Sequence, residues 1–185
     1  CIITQHYTPA TLPVNLALGS LGNQMFIQTF NYKKWADERT LRAIENVDKN
    51  AFPDSYAFTL RQLNHMVIVE ELFKSRLTNE STPHESTNTE LVPEFAELER
   101  RFLASCEWFS SYVSSLENGE EQISFTFADG RRGMMTVQEM LFHIVNHGSY
   151  HRGNIAHALD LASVPHPIDG YGIYIHEKEP ERRVT

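Results

Sequence analysis

Apolar residues recur along this chain at helical spacing, broken once by strand-like alternation. From about Asn23 to Val47, Phe26, Ile27, Phe30, Leu41 and Ile44 share one side of a helical wheel, which predicts a first long helix. Tyr32, Trp35 and Arg39 fall on a different side, as a second packing surface or as the cover of a pocket or partner. Phe52-Pro53-Asp54-Ser55 then interrupts the pattern, with Asp54 or Ser55 available to cap a second helix running to about Thr78. Its stripe of Phe58, Ile68, Val69 and Leu72 also carries Arg61 and a single imidazole, His65. Asn79 to Thr89 is polar and reads as a loop. Pro93 suits the first turn of a third helix, in which Phe95, Leu98, Phe102, Cys106, Phe109, Val113 and Leu116 repeat without a break until Asn118-Gly119.

The period then shortens to two. Ile123, Phe125 and Phe127 alternate with Ser124 and Thr126, Asp129-Gly130 supplies a turn, and Arg131 to Met135 returns, a small β-hairpin. Thr136-Val137-Gln138-Glu139 is a capping box opening a fourth helix, expected to run to about Ala162 before Pro165 and Pro167. Tyr171 to His176 reads as an extended tail segment. Residues 1–22 follow no period and are treated as an N-terminal extension, residues 23–177 as the domain, and residues 178–185 as a charged tail.

The fourth helix holds the densest chemistry. His143, His147 and His151 are spaced by four, so each ring is offset by about 40° from the last and the three form a ladder. Val137, Leu141, Ile144, Val145, Ile155 and Leu159 form an apolar stripe beside that ladder, which places the rings at the edge of the core. A half-desolvated imidazole needs a hydrogen-bond partner or a metal. Both readings are open for the ladder, and His65 is the natural third ligand from a neighbouring helix. Gly148 follows His147, so the H-E-x-x-H pattern of zinc proteases and its general base are absent.

Composition narrows the partners. With 185 residues and 41% hydrophobic content the chain can bury one sizeable core. A net charge of −8 argues against nucleic acid and against anionic membrane surfaces. No apolar run reaches the ~18 residues of a membrane span. The stretch ATLPVNLALG lacks a basic leader, so no signal peptide is expected. Two cysteines, Cys1 and Cys106, make no disulfide framework, and a reducing, cytoplasmic setting is the default.

The string LFHIVNHGSYHRGNIAHAL resembles the signature of the DinB family of metalloenzymes, FNYKKWADERTL its first-helix pattern, and LRQLNHMVIVEELF its second-helix segment. The likeness spans roughly Met25 to Glu177. It implies an all-α, up-down-down-up four-helix bundle with a β-hairpin inserted before the fourth helix. It also implies a divalent ion held by His65, His147 and His151, with His143 outside the ligand set, and a homodimer. Some relatives are transferases or isomerases using small intracellular thiols. The family name refers to DNA-damage induction, not to DNA binding. Asn154 stands where Gln is common.

Three neutral histidines leave an ion one open position, as in catalytic rather than structural zinc sites. The donor set suits Zn2+ or Ni2+. Tyr150 could donate to a bound oxyanion or simply pack with its hydroxyl in water. Arg61, one turn before His65, could pair with an anionic substrate or form a salt bridge at the end of the helices. Arg152 points away from the ladder and reads as a structural ion-pair partner. The function expected is a metal-dependent enzyme, a transferase or hydrolase, acting on a small molecule such as a low-molecular-weight thiol. The alternatives are a non-catalytic metal-binding module and an interaction protein.

Overall fold

The structure is a computed structural model that describes residues 14–127 and 129–183. The chain is mostly helical, with a two-stranded antiparallel hairpin before its last long helix. The elements are α1 (Val14–Ile44), α2 (Pro53–Leu77), α3 (Phe95–Ser114), β1 (Gln122–Thr126), β2 (Arg132–Thr136), α4 (Val137–Leu161) and α5 (Tyr171–Lys178). A single 3-10 turn, Pro180–Arg182, follows. In the hairpin Ser124 lies opposite Met134, and Asp129-Gly130 makes the turn with Gly130 at φ 82°.

α1 and α2 each pack on both α3 and α4. Two apolar clusters fill the space between them. Ile44, Leu63, Met66, Leu98, Phe102, Ile155 and Leu159 make one. Phe30, Val69, Phe73, Phe109, Met140, Leu141 and Ile144 make the other, toward the hairpin. Between the two runs a polar layer of Lys33, Asp37, Glu70, Ser105 and Arg152, all buried. Lys33 Nζ lies 2.7 Å from both Asp37 and Glu70, and the Ser105 hydroxyl donates to Glu70. Arg152 reaches Asp37 and Asp169, each at 2.8 Å, so it is the structural ion-pair partner its place in the sequence suggested. Burial makes these charges costly, and each is matched by an opposite charge in hydrogen-bond contact.

Several elements differ from the sequence reading. α1 begins at Val14 rather than about Asn23, because Leu16, Ala17 and Leu18 are strong helix formers that carry Gly19 and Gly22 with them. The rest of the loop-like reading, on residues 1–13, lies outside the described residues. α2 takes Pro53 as its first residue, and neither Asp54 nor Ser55 caps it. α3 starts at Phe95 with Glu94 as N-cap, so Pro93 precedes the helix, and α3 ends at Ser114, before Asn118-Gly119. Tyr171 to His176 is helical, not extended. Tyr171 and Tyr174 of α5 pack on Tyr32 and Trp35. The second aromatic face of α1 is therefore covered by the chain's own C-terminal segment. Asp169 accepts from the Tyr32 hydroxyl at 2.5 Å, and Glu177 from the Trp35 indole at 2.9 Å, which fasten that segment down.

Candidate metal centre

The helix carrying the histidine ladder has a fixed origin. Thr136 Oγ1 accepts from the Glu139 amide at 3.2 Å, and Glu139 Oε2 accepts from the Thr136 amide at 2.8 Å, the reciprocal bonds of a capping box. From there α4 presents His143, His147 and His151 in sequence. Ring centroids are 5.4 Å apart for the first pair and 4.3 Å for the second. α2 faces α4 and brings His65 to within 4.9 Å of His147 and 4.7 Å of His151, centroid to centroid. One nitrogen from each of His65, His147 and His151 lies within 4.8 Å of the others. The three rings are half-buried.

The rings are also oriented. The Nδ1–H of His65 donates to the Thr87 carbonyl at 2.9 Å, and the Nδ1–H of His151 donates to Gln62 Oε1 at 2.6 Å. Each bond fixes a tautomer whose Nε2 lone pair faces inward, which is how outer groups prepare a histidine for a cation. The Asn154 amide donates to the same Gln62 oxygen at 3.4 Å and steadies it. His65 Nε2 and His147 Nε2 stand 3.0 Å apart. Tetrahedral ligands at about 2.05 Å from an ion would stand about 3.3 Å apart. The His65–His147 pair is already near that spacing, and all three ligand nitrogens lie within 4.8 Å of one another.

Electrostatics favours neutral rings. Burial, then the neighbouring His151, His65 and His143, lower the pKa of His147 to about 3. Burial and His65 lower that of His151 to about 4. Near neutral pH both keep a lone pair free, as ligation requires.

His143 stays out of this group. It stacks on Phe73 at 4.7 Å and 9°, and burial with the nearby Arg76 lowers its pKa. Tyr150 is 68% exposed, its ring edge-on to His151 at 5.0 Å. Arg61 is exposed and forms no ion pair with any described residue, so the salt bridge at the end of the helices is not what it makes. It lines a cleft of about 360 Å³ together with Gln62, His65, Asn88, Thr89 and His151.

Two contributors were missed in the sequence. Gln62 sits three residues before His65 on the same helix face, a spacing that could have marked it. Thr87 acts through its backbone carbonyl, which leaves no trace in residue type.

A family model for the DinB family matches residues 20–183. The chain belongs to the DinB family. It is similar to Protein DinB of Bacillus subtilis (strain 168), 22% identical over 163 residues that cover 83% of this chain and 95% of that one. No solved structure shows a significant match to it. The family match rests on residues 20–183, and the three-histidine cluster lies on α2 and α4 within that stretch. Among the described residues no helix is long and apolar enough to cross a membrane.

Proposed function

We propose that this DinB-family chain is a metal-dependent enzyme, a transferase or hydrolase, that acts on a small molecule such as a low-molecular-weight thiol. His65, His147 and His151 would hold one Zn2+ or Ni2+. The observation that carries this reading is the convergence of three imidazoles, two of them oriented by outer hydrogen bonds, beside a cleft. When bound, such an ion acts as a Lewis acid and lowers the pKa of a water or thiol at its open position. No thiolate or carboxylate belongs to the donor set, so the charge of the ion would stay undiminished. The chain's own residues do the remaining work. Gln62 and Thr87 hold ring nitrogens of His151 and His65 in place, and Phe58 and Val92 add an apolar wall to the cleft.

The reading includes an up-down-down-up four-helix bundle built by α1 to α4, and a homodimer. Phe142, Tyr150 and Leu161, all largely exposed on α4, support the dimer, now that Tyr32 and Trp35 are covered within the chain.

The test is elemental analysis of tag-free protein, followed by calorimetric titration of the metal-loaded form with glutathione and other small thiols. About one ion per chain and thiol binding that vanishes in His65→Ala are expected. Full metal occupancy in the His147→Ala/His151→Ala double variant would refute the ligand assignment. Metal binding with no response to any thiol would leave the non-catalytic module in front.

A further inference from the structure

The cleft beside the histidines has an unusual charge pattern for this chain. The protein carries a net charge of −8, yet the cleft is lined by Phe58, Arg61, Gln62, His65, Asn88, Thr89, Val92 and His151, with no carboxylate among them. Its one formal charge is the guanidinium of Arg61, which no described carboxylate neutralises. Of the ten other arginines, five are ion-paired among the described residues, and Arg39 and Arg76 instead lie over aromatic rings. Arg101, Arg100, Arg152 and Arg182 each pair with Asp or Glu at 2.6–3.1 Å. A free guanidinium in an acid-free cleft, in a protein rich in acids, makes a locally positive opening that attracts anions.

We propose that this cleft is a carboxylate-recognition subsite, and that the substrate carries a carboxylate set a short distance from its reacting group. The proposal rests on the metal reading for the position of that group, but not for the carboxylate contact itself. Arg61 supplies a planar fork of donors that fits a carboxylate with two parallel hydrogen bonds. The Asn88 amide, beside Thr89 on the facing loop, offers a further donor. Thr89 is held in place, accepting from the Asn64 amide at 2.8 Å and donating to the Leu91 carbonyl at 2.7 Å. The apolar residues lining the same cleft, Phe58 and Val92, suit the short carbon chain between the two groups. A phosphate fits less well. It brings nearly two charges and three acceptor oxygens, and the cleft has one cation. Arg61 lies one helical turn from His65, so the carboxylate and the inward-facing imidazole nitrogens are addressed by a single small molecule.

The experiment uses dicarboxylates from malonate to adipate, each against the monocarboxylate of equal carbon count, titrated into the zinc-loaded full chain. One dicarboxylate length should bind at least tenfold tighter than its monocarboxylate partner. Arg61→Gln should abolish that preference and leave zinc affinity unchanged, and Arg61→Lys should restore part of it. A preference that survives in Arg61→Gln, no preference at any length, or stronger competition by inorganic phosphate than by the best dicarboxylate would overturn the proposal. A second arm is independent of the ion. In the metal-free protein, glutarate should shift the NMR signal of the Arg61 Nε–H, and absence of that shift overturns the subsite. Failure to take up zinc with the NMR shift intact would instead remove the metal reading alone.

Discussion

Gln62→Leu should weaken zinc binding about tenfold. Gln62 touches no ion in the proposed site; it acts by accepting the His151 Nδ1–H at 2.6 Å. Leucine of similar size leaves that N–H without its partner. A lost hydrogen bond costs about 1–1.5 kcal/mol, and tenfold in affinity is about 1.4 kcal/mol. Partners of metal-bound histidines are worth roughly 10–100-fold in affinity. The lower end applies here because His151 is half-exposed, so water can take the abandoned donor. The assay is competition with a chromophoric chelator at pH 7.5. An internal control comes from the other oriented ring. His65 is held by the carbonyl of Thr87, which every residue type carries, so Thr87→Ala should leave affinity within about twofold. Gln62→Glu should tighten binding, since a charged acceptor strengthens the bond and raises ring basicity. The reasoning is refuted if Gln62→Leu binds zinc as the unaltered protein does while His151→Ala does not. It is equally refuted if Thr87→Ala loses as much as Gln62→Leu.

Arg152→Met should lower stability by about 3 kcal/mol, the low end for breaking a buried pair, because Asp37 keeps Lys33 as a partner. That corresponds to a fall in Tm of about 6–12 °C by calorimetry, and a fall under 1 °C would contradict the account. The metal-free protein should lose stability as pH drops below about 6.5 toward 4. His147 and His151 have native pKa values of about 3 and about 4, below the unfolded value, so their contribution is complete above 6.5 and drains away as the unfolded chain takes up protons first. Urea midpoints at several pH values should show this, with a shallower decline in the His147→Ala/His151→Ala variant; parallel curves would count against it. Light scattering at micromolar concentration should give twice the 21.3 kDa chain mass, and Phe142→Ser with Leu161→Ser should shift it to the monomer. A monomer mass for the unaltered protein would remove the dimer.

The histidine helix was legible because three local signals agree there: the apolar period, the Thr136–Glu139 box, and Pro165 beyond the end. The clustering of His65 with His147 and His151 could be expected because α2 and α4 each show one continuous apolar face that must meet another. α5 was not legible. Gly172 and the β-branched Ile173 and Ile175 argue locally for extended chain, and packing of Tyr171 and Tyr174 on α1 overrides them. The polar layer was hidden for a different reason. Lys33, Asp37 and Glu70 have the composition of a wetted helix face, and only the fold reveals that they neutralise one another away from water.

That layer has a further effect on how the helices can slide. Two oily clusters alone would tolerate a shift of one helix past another, since leucine, valine and phenylalanine interchange at little loss. A one-turn slip of α2, about 5.4 Å, would carry the Glu70 carboxylate away from Lys33 and into hydrocarbon. The cost of stranding that charge leaves a single permitted alignment of α1, α2 and α4. His65 and His147 belong to α2 and α4, two of those three helices, so the alignment that satisfies the buried ions is also the one that brings their Nε2 atoms to 3.0 Å. The charges thus work as a key cut for one lock position, and the imidazoles inherit their registration from it.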